Sequence, residues 1–214
     1  MQPRSNQRTF EKELNPEKAL IFRIVHIKNL PWLLDNGLHC GNSSHRFDQW
    51  EPIGKADLIA GRASYSVKSP GIGRLNDYVP FYFTPFSPML LNIKSGRNGV
   101  PQRPNEDIVI LVSSLHKIKE QGLRFLFTDG HAYLASSNFY TDLSQLSSVD
   151  WGILQRRDFA RDMDDPHKMD RYQAEALVHE SVPVTALLGV VCYTEQIRNE
   201  IQHQVDQRQL ELKV

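Results

Sequence analysis

Residues 78–90 read YVPFYFTPFSPML, an aromatic run interrupted three times by proline. Tyr78, Val79, Phe81, Tyr82 and Phe83 have the side chains of a strand, whereas Pro80, Pro85 and Pro88 cannot donate to a sheet ladder. The stretch therefore reads as a buried strand running into a rigid loop. Aromatic faces beside a fixed backbone suit core packing, which is the simpler reading, and they also suit holding a flat ligand such as a nucleobase or nicotinamide.

On the N-terminal side, Leu20–Val25 (LIFRIV) is a short apolar strand, and the apolar spacing from His26 to Leu34 predicts a short helix stopped at Asn36-Gly37. A helical turn is expected over Ala56–Arg62, and Ser69-Pro70-Gly71-Ile72-Gly73 is a turn leading into the aromatic block. On the C-terminal side, Ile108–Val112 (IVILV) is the plainest buried strand, followed by a helix over Ser114–Gly122 and a strand at Arg124–Thr128 that ends on Asp129-Gly130. Residues 131–172 are weakly periodic and include the charged run DMDDPHKMDR, a pattern that more often carries function than scaffold. Leu187–Tyr193 reads as another strand and Thr194–Leu212 as a terminal helix.

Short strands without regular βα alternation point to an α+β fold rather than a doubly wound sheet. Residues 1–18 read as a flexible polar lead-in and 19–214 as a single domain. No GxGxxG follows a strand and no Walker-type loop is present, so the usual nucleotide fingerprints are missing. Positive and negative side chains balance at 25 each, so any anion site is local. One local window fits: between Lys55 and Arg103 seven cationic side chains face two acids, Asp57 and Asp77, which reads equally as a solvated face or a phosphate-facing surface. Two cysteines without metal-ligand spacing, and histidines without HExxH, predict no metal. The reading is of a protein of the reducing cytoplasm, with no apolar run of membrane-spanning length.

Glu175 lies between a charged segment and the apolar run ALV; taken alone, it reads as an exposed helix-end residue. Arg62, in IAGRAS, reads as a surface arginine or as a guanidinium for a phosphate or carboxylate in a closed site.

Taken in order, IFRIVHIKNLPWLLDNG (21–37), Arg62, DYVPFYFTPFSPML (77–90), FTDGHAYLAS (127–136) and YQAEALVHESVP (172–183) resemble the DarT family of DNA ADP-ribosyltransferase toxins. The resemblance runs from about residue 20 onward. It implies an ADP-ribosyltransferase fold of the PARP and toxin type, with two small packed β-sheets and flanking helices. It further implies an enzyme that splits NAD and attaches ADP-ribose to a base in single-stranded DNA. The catalytic glutamate falls on Glu175 and the essential arginine on Arg62. The NAD-binding segment falls on Arg23, Ile24 and Val25 and continues through Asn29, Trp32 and toward Cys40. Tyr82 and Phe86, with Phe81, are candidates for the nicotinamide pocket, with core packing as the competing reading. The substrate-facing loop falls at roughly 131–172, where Tyr140, Trp151, Arg156 and Arg157 are candidate strand contacts. As a toxin the protein would be paired with a separate macrodomain antitoxin that removes ADP-ribose.

One departure stands out. Many members read IYHIT where this chain has Ile21-Phe22-Arg23-Ile24-Val25. Arginine cannot accept a hydrogen bond as histidine can, but it can bind a phosphate or stack on a ring. The resemblance therefore implies a divergent branch with guanine rather than thymine as the expected base. Cleaving the nicotinamide bond builds positive charge on the ribose, as in glycoside cleavage, and a carboxylate beside it stabilises that charge. Glu175 suits this role and can take a proton from the attacking base. A guanidinium is a poor general base, so Arg62 is confined to electrostatic work. Two alternatives stand beside this reading: an NAD glycohydrolase or a transferase to RNA or protein, and a non-catalytic single-strand-binding relative.

Overall fold

The run Ile108–Leu111 has no polar face, so it can be accommodated only with both sides covered. The computed structural model describes residues 10–45 and 47–214, and it places this run in an inner strand of a seven-stranded sheet. The strands are β1 (Leu20–His26), β2 (Leu38–His39), β3 (Tyr78–Tyr82), β4 (Ile108–Ser114), β5 (Phe125–Thr128), β6 (Phe139–Tyr140), β7 (Glu175–His179), β8 (Ser181–Val182) and β9 (Gly189–Val191). The large sheet runs β6-β5-β7-β3-β1-β4-β9, and β2 pairs with β8 in a two-stranded ribbon. The α+β expectation holds, with one large antiparallel sheet and one small ribbon in place of two small sheets.

The large sheet is nearly two sheets. β1 and β4 pair over seven residues, from Leu20↔Ser114 to His26↔Ile108, and β3 and β7 pair over five, from Tyr78↔His179 to Tyr82↔Glu175. Between these halves, β1 and β3 share a single register pair, Phe22↔Tyr82. Beyond that point the strands diverge, and the Arg23 guanidinium spans the gap, its Nη1 donating to the Pro80 carbonyl at 2.8 Å. A strand residue turns its nitrogen and carbonyl oxygen toward the same neighbour. Pro80 therefore directs its missing donor into the split, where no ladder bond is lost.

Helices close the faces: α1 (Leu30–Asn36), α2 (Ala56–Arg62), α3 (Pro88–Ser95), α4 (Leu115–Glu120), α5 (Trp151–Arg156), α6 (Lys168–Tyr172) and α7 (Glu195–Gln207). Leu33 and Leu34 of α1, Ile118 of α4 and Ile201 and Val205 of α7 enter one core with the β1 and β4 side chains. A second cluster, Val67, Leu75, Tyr78, Leu126, Ala132, Phe139 and Leu177, lies beneath the segment that follows β5. The aromatic block is only part loop. Ser87 caps α3 by accepting from the Leu90 N–H at 3.2 Å, and Pro88 occupies the first turn, where a missing N–H costs nothing. Gly37 ends α1 at φ +77°, as its stop position predicts.

Residues 1–9 of the expected lead-in lie outside the described residues. Within residues 10–18, Leu14 is buried in the core and Phe10 lies 4.9 Å from the Phe86 ring, whereas Glu11, Lys12, Glu13, Glu17 and Lys18 are exposed. No helix among the described residues is long and apolar enough to cross a membrane.

His26, at the end of β1, has no solvent exposure; its Nδ1 accepts from the Lys28 N–H at 3.2 Å and its Nε2 lies 3.6 Å from Asp107. Burial pushes the imidazole pKa down, outweighing the opposing pull of Asp107. The unfolded chain then binds more protons below the ordinary value of 6.5, so stability falls as pH drops through that value toward the folded-state pKa. Urea midpoints compared at about pH 8 and about pH 5 should fall for the wild type and fall less for His26→Asn, each judged against its own value at the higher pH.

Candidate active site

Glu175 is the first residue of β7 and pairs with Tyr82 across the ladder. It is no exposed helix end: 3% of it reaches solvent, because α6 closes just before it and β5 and β3 flank it. A buried carboxylate needs compensation. Arg62, from the last turn of α2, donates Nη1 to Oε2 at 2.9 Å with 12% of its side chain exposed, and the Ala132 N–H donates to Oε1 at 3.0 Å. The backbone of Glu175 is fixed as well, its N–H donating to Thr128 Oγ1 at 3.0 Å while that hydroxyl donates to the Gly130 carbonyl at 2.6 Å.

His131 Nδ1 lies 3.4 Å from Glu175 Oε1 and accepts the Tyr133 N–H at 3.1 Å. Accepting there places the proton of the neutral ring on Nε2. The turn carrying His131, Ala132 and Tyr133 is held by Lys68, whose Nζ donates to the carbonyls of Leu134 at 3.4 Å, Ser137 at 2.9 Å and Ala135. Three carbonyls saturate the three donors of the ammonium. Tyr133 also packs on Tyr65 at 4.6 Å between ring centroids and approaches α2 so closely that a Cβ on Gly61 would lie 2.8 Å from its hydroxyl oxygen.

These groups border a cavity of about 250 Å³ in the split of the sheet. Arg23, Arg62, Tyr82, His131, Tyr133 and Glu175 supply polar lining, and Trp50, Ile53, Leu58, Ile59, Met89 and Ile93 supply apolar lining. Burial, then the nearby Arg62, lowers the Arg23 pKa to about 10, so it remains a cation at neutral pH. Burial, then the charge of Glu175, pushes Tyr82 up to about 12 and keeps its hydroxyl protonated. Arg23 Nε and Arg62 Nη2 are buried with no hydrogen-bond partner among the described residues. Two arginines, two unmatched guanidinium donors and one carboxylate suit an anionic ligand with an electron-deficient centre.

Of the residues expected from the sequence, Arg23, Ile24, Arg62, Tyr82 and Glu175 line this cavity. The others do not. Val25 is core, and Asn29 is fully buried with both side-chain polar atoms engaged by Glu51. Trp32 stacks on Phe47 at 5.8 Å, and Cys40 is buried beside the β2–β8 ribbon, its N–H donating to the Glu180 carbonyl at 2.8 Å. Phe86 packs against Phe10 and under Arg157, whose Cζ lies 4.0 Å from the ring centroid. Trp151 is a core residue, 8% exposed, with Nε1 donating to the Leu146 carbonyl at 2.8 Å. Tyr140 is half-buried and donates to Asp129 at 3.0 Å, while Arg156 and Arg157 are exposed. Sequence reasoning missed Ala132, which acts through its amide and carries no side-chain signal. It also missed the 50–55 segment, which has no periodicity. His131 had a signal, a histidine immediately after the Asp129-Gly130 stop of a strand. Among the described residues no cluster of three or more His, Cys, Asp or Glu is placed to hold a metal ion.

Fold and site together define an ADP-ribosyltransferase. The chain belongs to the DarT family: the family model described as "ssDNA thymidine ADP-ribosyltransferase, DarT" matches residues 22–214. A DNA ADP-ribosyl transferase of Escherichia coli O127:H6 is 53% identical over 205 residues, covering 96% of this chain and 94% of the relative. Thermus sp. 2.9 DarT in complex with ADP-ribosylated ssDNA superposes with a TM-score of 0.80 at 34% identity, covering 92% of each chain. The same protein in complex with NAD+ gives 0.79 at 32% identity, covering 92% of this chain and 96% of that one.

Lys68→Met retains the aliphatic stem and strips the three carbonyls of their donor. Backbone amides of residues 131–137 should then exchange with solvent faster than in the wild type, with a global stability loss of about 1–3 kcal/mol. Hydrogen exchange followed by mass spectrometry reads both.

Proposed function

We propose that this protein transfers ADP-ribose from NAD to a base of single-stranded DNA, releasing nicotinamide, and that it acts as the toxin of a toxin–antitoxin pair. The observation that carries the reading is the buried Glu175 carboxylate, held by Arg62 and the Ala132 amide at the edge of a cavity bearing unmatched arginine donors. NAD is the co-substrate. Its diphosphate is matched by Arg62 and Arg23, and its flat nicotinamide by the Tyr82 side of the cavity. The bond between the ribose and nicotinamide breaks, and a bond from the same ribose carbon to a base nitrogen forms. Glu175 stabilises the positive charge that develops on the ribose and accepts the proton the base nitrogen gives up. Arg62 keeps the carboxylate oriented and remains charged throughout.

Support for the acceptor comes from the family description, which names single-stranded DNA, and from the Thermus complex with ADP-ribosylated ssDNA. An unstacked base is also the least costly one to bring to a buried carboxylate. The exposed Arg156 and Arg157 and the half-buried Tyr140 are the strand contacts we assign, whereas the buried Trp151 is not available for one. We propose guanine as the base, because Arg23 replaces the histidine of the thymine-modifying members. Thymine is the competing outcome, since the family description names thymidine. The partner that limits toxicity would be a macrodomain that removes ADP-ribose, acting in the cytoplasm.

Incubation of the protein with NAD and single-stranded oligonucleotides of varied base content, followed by digestion and mass spectrometry of the nucleosides, tests this. ADP-ribosyl-deoxyguanosine is the expected product. Destruction of NAD with unmodified DNA would make the protein a glycohydrolase or a transferase to RNA or protein. Salt-sensitive strand binding without NAD turnover would make it a non-catalytic relative. Arg62→Lys, which loses the planar fork, should lower transfer by about tenfold or more while leaving the protein folded by circular dichroism.

A further inference from the structure

One part of the cavity wall is a segment without regular structure. Among the described residues, no helix or strand lies between β2, ending at His39, and α2, starting at Ala56. Within residues 50–55, Trp50, Pro52, Ile53, Gly54 and Lys55 all line the cavity. Glu51 is the exception, and it is the residue through which the segment is fastened. Its N–H donates to Asn29 Oδ1 at 2.9 Å, and its carbonyl accepts from Asn29 Nδ2 at 2.8 Å, so one amide side chain satisfies both backbone groups as a neighbouring strand would. Its carboxylate is paired with Arg103 Nη2, in a contact that leaves about a quarter of each side chain exposed.

Both fasteners are themselves fixed. Asn29 ends a 3-10 turn, Ile27–Asn29, capped by the buried His26, and has no solvent exposure. The Arg103 N–H donates at 2.9 Å to the carbonyl of Ile93, a fully buried residue that also borders the cavity.

We infer that Asn29 and Arg103 are positioning residues that clasp Glu51 and hold the 50–55 wall against the cavity, setting the affinity for NAD rather than the rate of bond cleavage. The inference rests on the reading of the cavity as the NAD site. Neither residue touches the cavity, so loss of the clasp acts through the position of Trp50, Pro52 and Ile53. An unfastened wall must be ordered when the ligand binds, and that cost appears in binding.

The test uses three proteins beside the wild type: Arg103→Met, Asn29→Ala, and the charge swap Glu51→Arg with Arg103→Glu. Arg103→Met is the primary variant, because its ion pair is partly exposed and its loss leaves the core intact; Asn29→Ala strips a buried backbone pair of its partner and is the one at risk of misfolding. Limited trypsin digestion without ligand should show cleavage after Lys55 accelerating several-fold in Arg103→Met, with the swap restoring protection. KM for NAD should rise about tenfold, with kcat within about twofold of wild type. A lowered Tm with cleavage and KM both unmoved would reduce the pair to a structural contact and overturn the inference, as would a fall in kcat at constant KM. Unchanged cleavage after Lys55 rejects the clasp whatever the wild type does with NAD. Faster cleavage in the variant, combined with a wild type whose Tm NAD does not shift, rejects the NAD reading of the cavity instead.

Discussion

Burying one carboxylate, Glu175, at 3% exposure constrains much of the surrounding structure. A charge withdrawn from water needs an opposite charge and hydrogen bonds on its remaining lone pairs, and removing one partner of such a pair typically costs about 3–5 kcal/mol. Arg62 supplies the charge, so α2, a helix with no buried residue of its own, must be held where its last turn reaches the sheet. The Ala132 amide supplies the second bond, so the turn after β5 must be held too, and Lys68 and the Tyr65–Tyr133 ring contact hold it. Thr128 fixes the glutamate backbone from the neighbouring strand.

The same economy explains the cleft. A continuous seven-stranded sheet would leave no room beside Glu175, but β1 and β3 share one register pair and then part. The opening exposes strand edges, whose backbone groups need partners. Arg23 supplies one by donating to the Pro80 carbonyl, and Pro80 has no N–H to leave unsatisfied on that side. A proline that looked disruptive in the middle of an aromatic strand is thus compatible with the one strand edge that faces the split. The cations Arg23 and Arg62 then share a low-dielectric cavity, which favours an anionic guest.

What the sequence conveyed, and what it concealed, follows from how each part is built. Continuous apolar runs such as Ile108–Leu111 and β-prone runs such as Tyr78–Tyr82 announce strands, and α2 and α7 lie where their composition places helices. The closeness of Arg62 to Glu175 was legible through motif order, although 113 residues separate them, but the burial of Glu175 was not. Local composition places it beside a charged segment, and only the pairing of β7 between β5 and β3 draws it inside. Asn29 and Trp32 sit in the motif next to Arg23, yet their side chains work on the 47–51 segment rather than in the cavity. Adjacency in a motif identified a neighbourhood without distinguishing the residues that line the cavity from those that hold its walls. Backbone donors such as the Ala132 amide leave no trace in residue type at all.

In the function we propose, Glu175 promotes the chemistry and the remaining residues place it. Single-turnover nicotinamide release by Glu175→Gln, with NAD binding followed in parallel by thermal shift, tests this most directly. The isosteric amide retains shape and loses charge. NAD should still raise the melting temperature while release slows by about 10²-fold or more. Release at the wild-type rate from a folded, NAD-binding Glu175→Gln protein would contradict it.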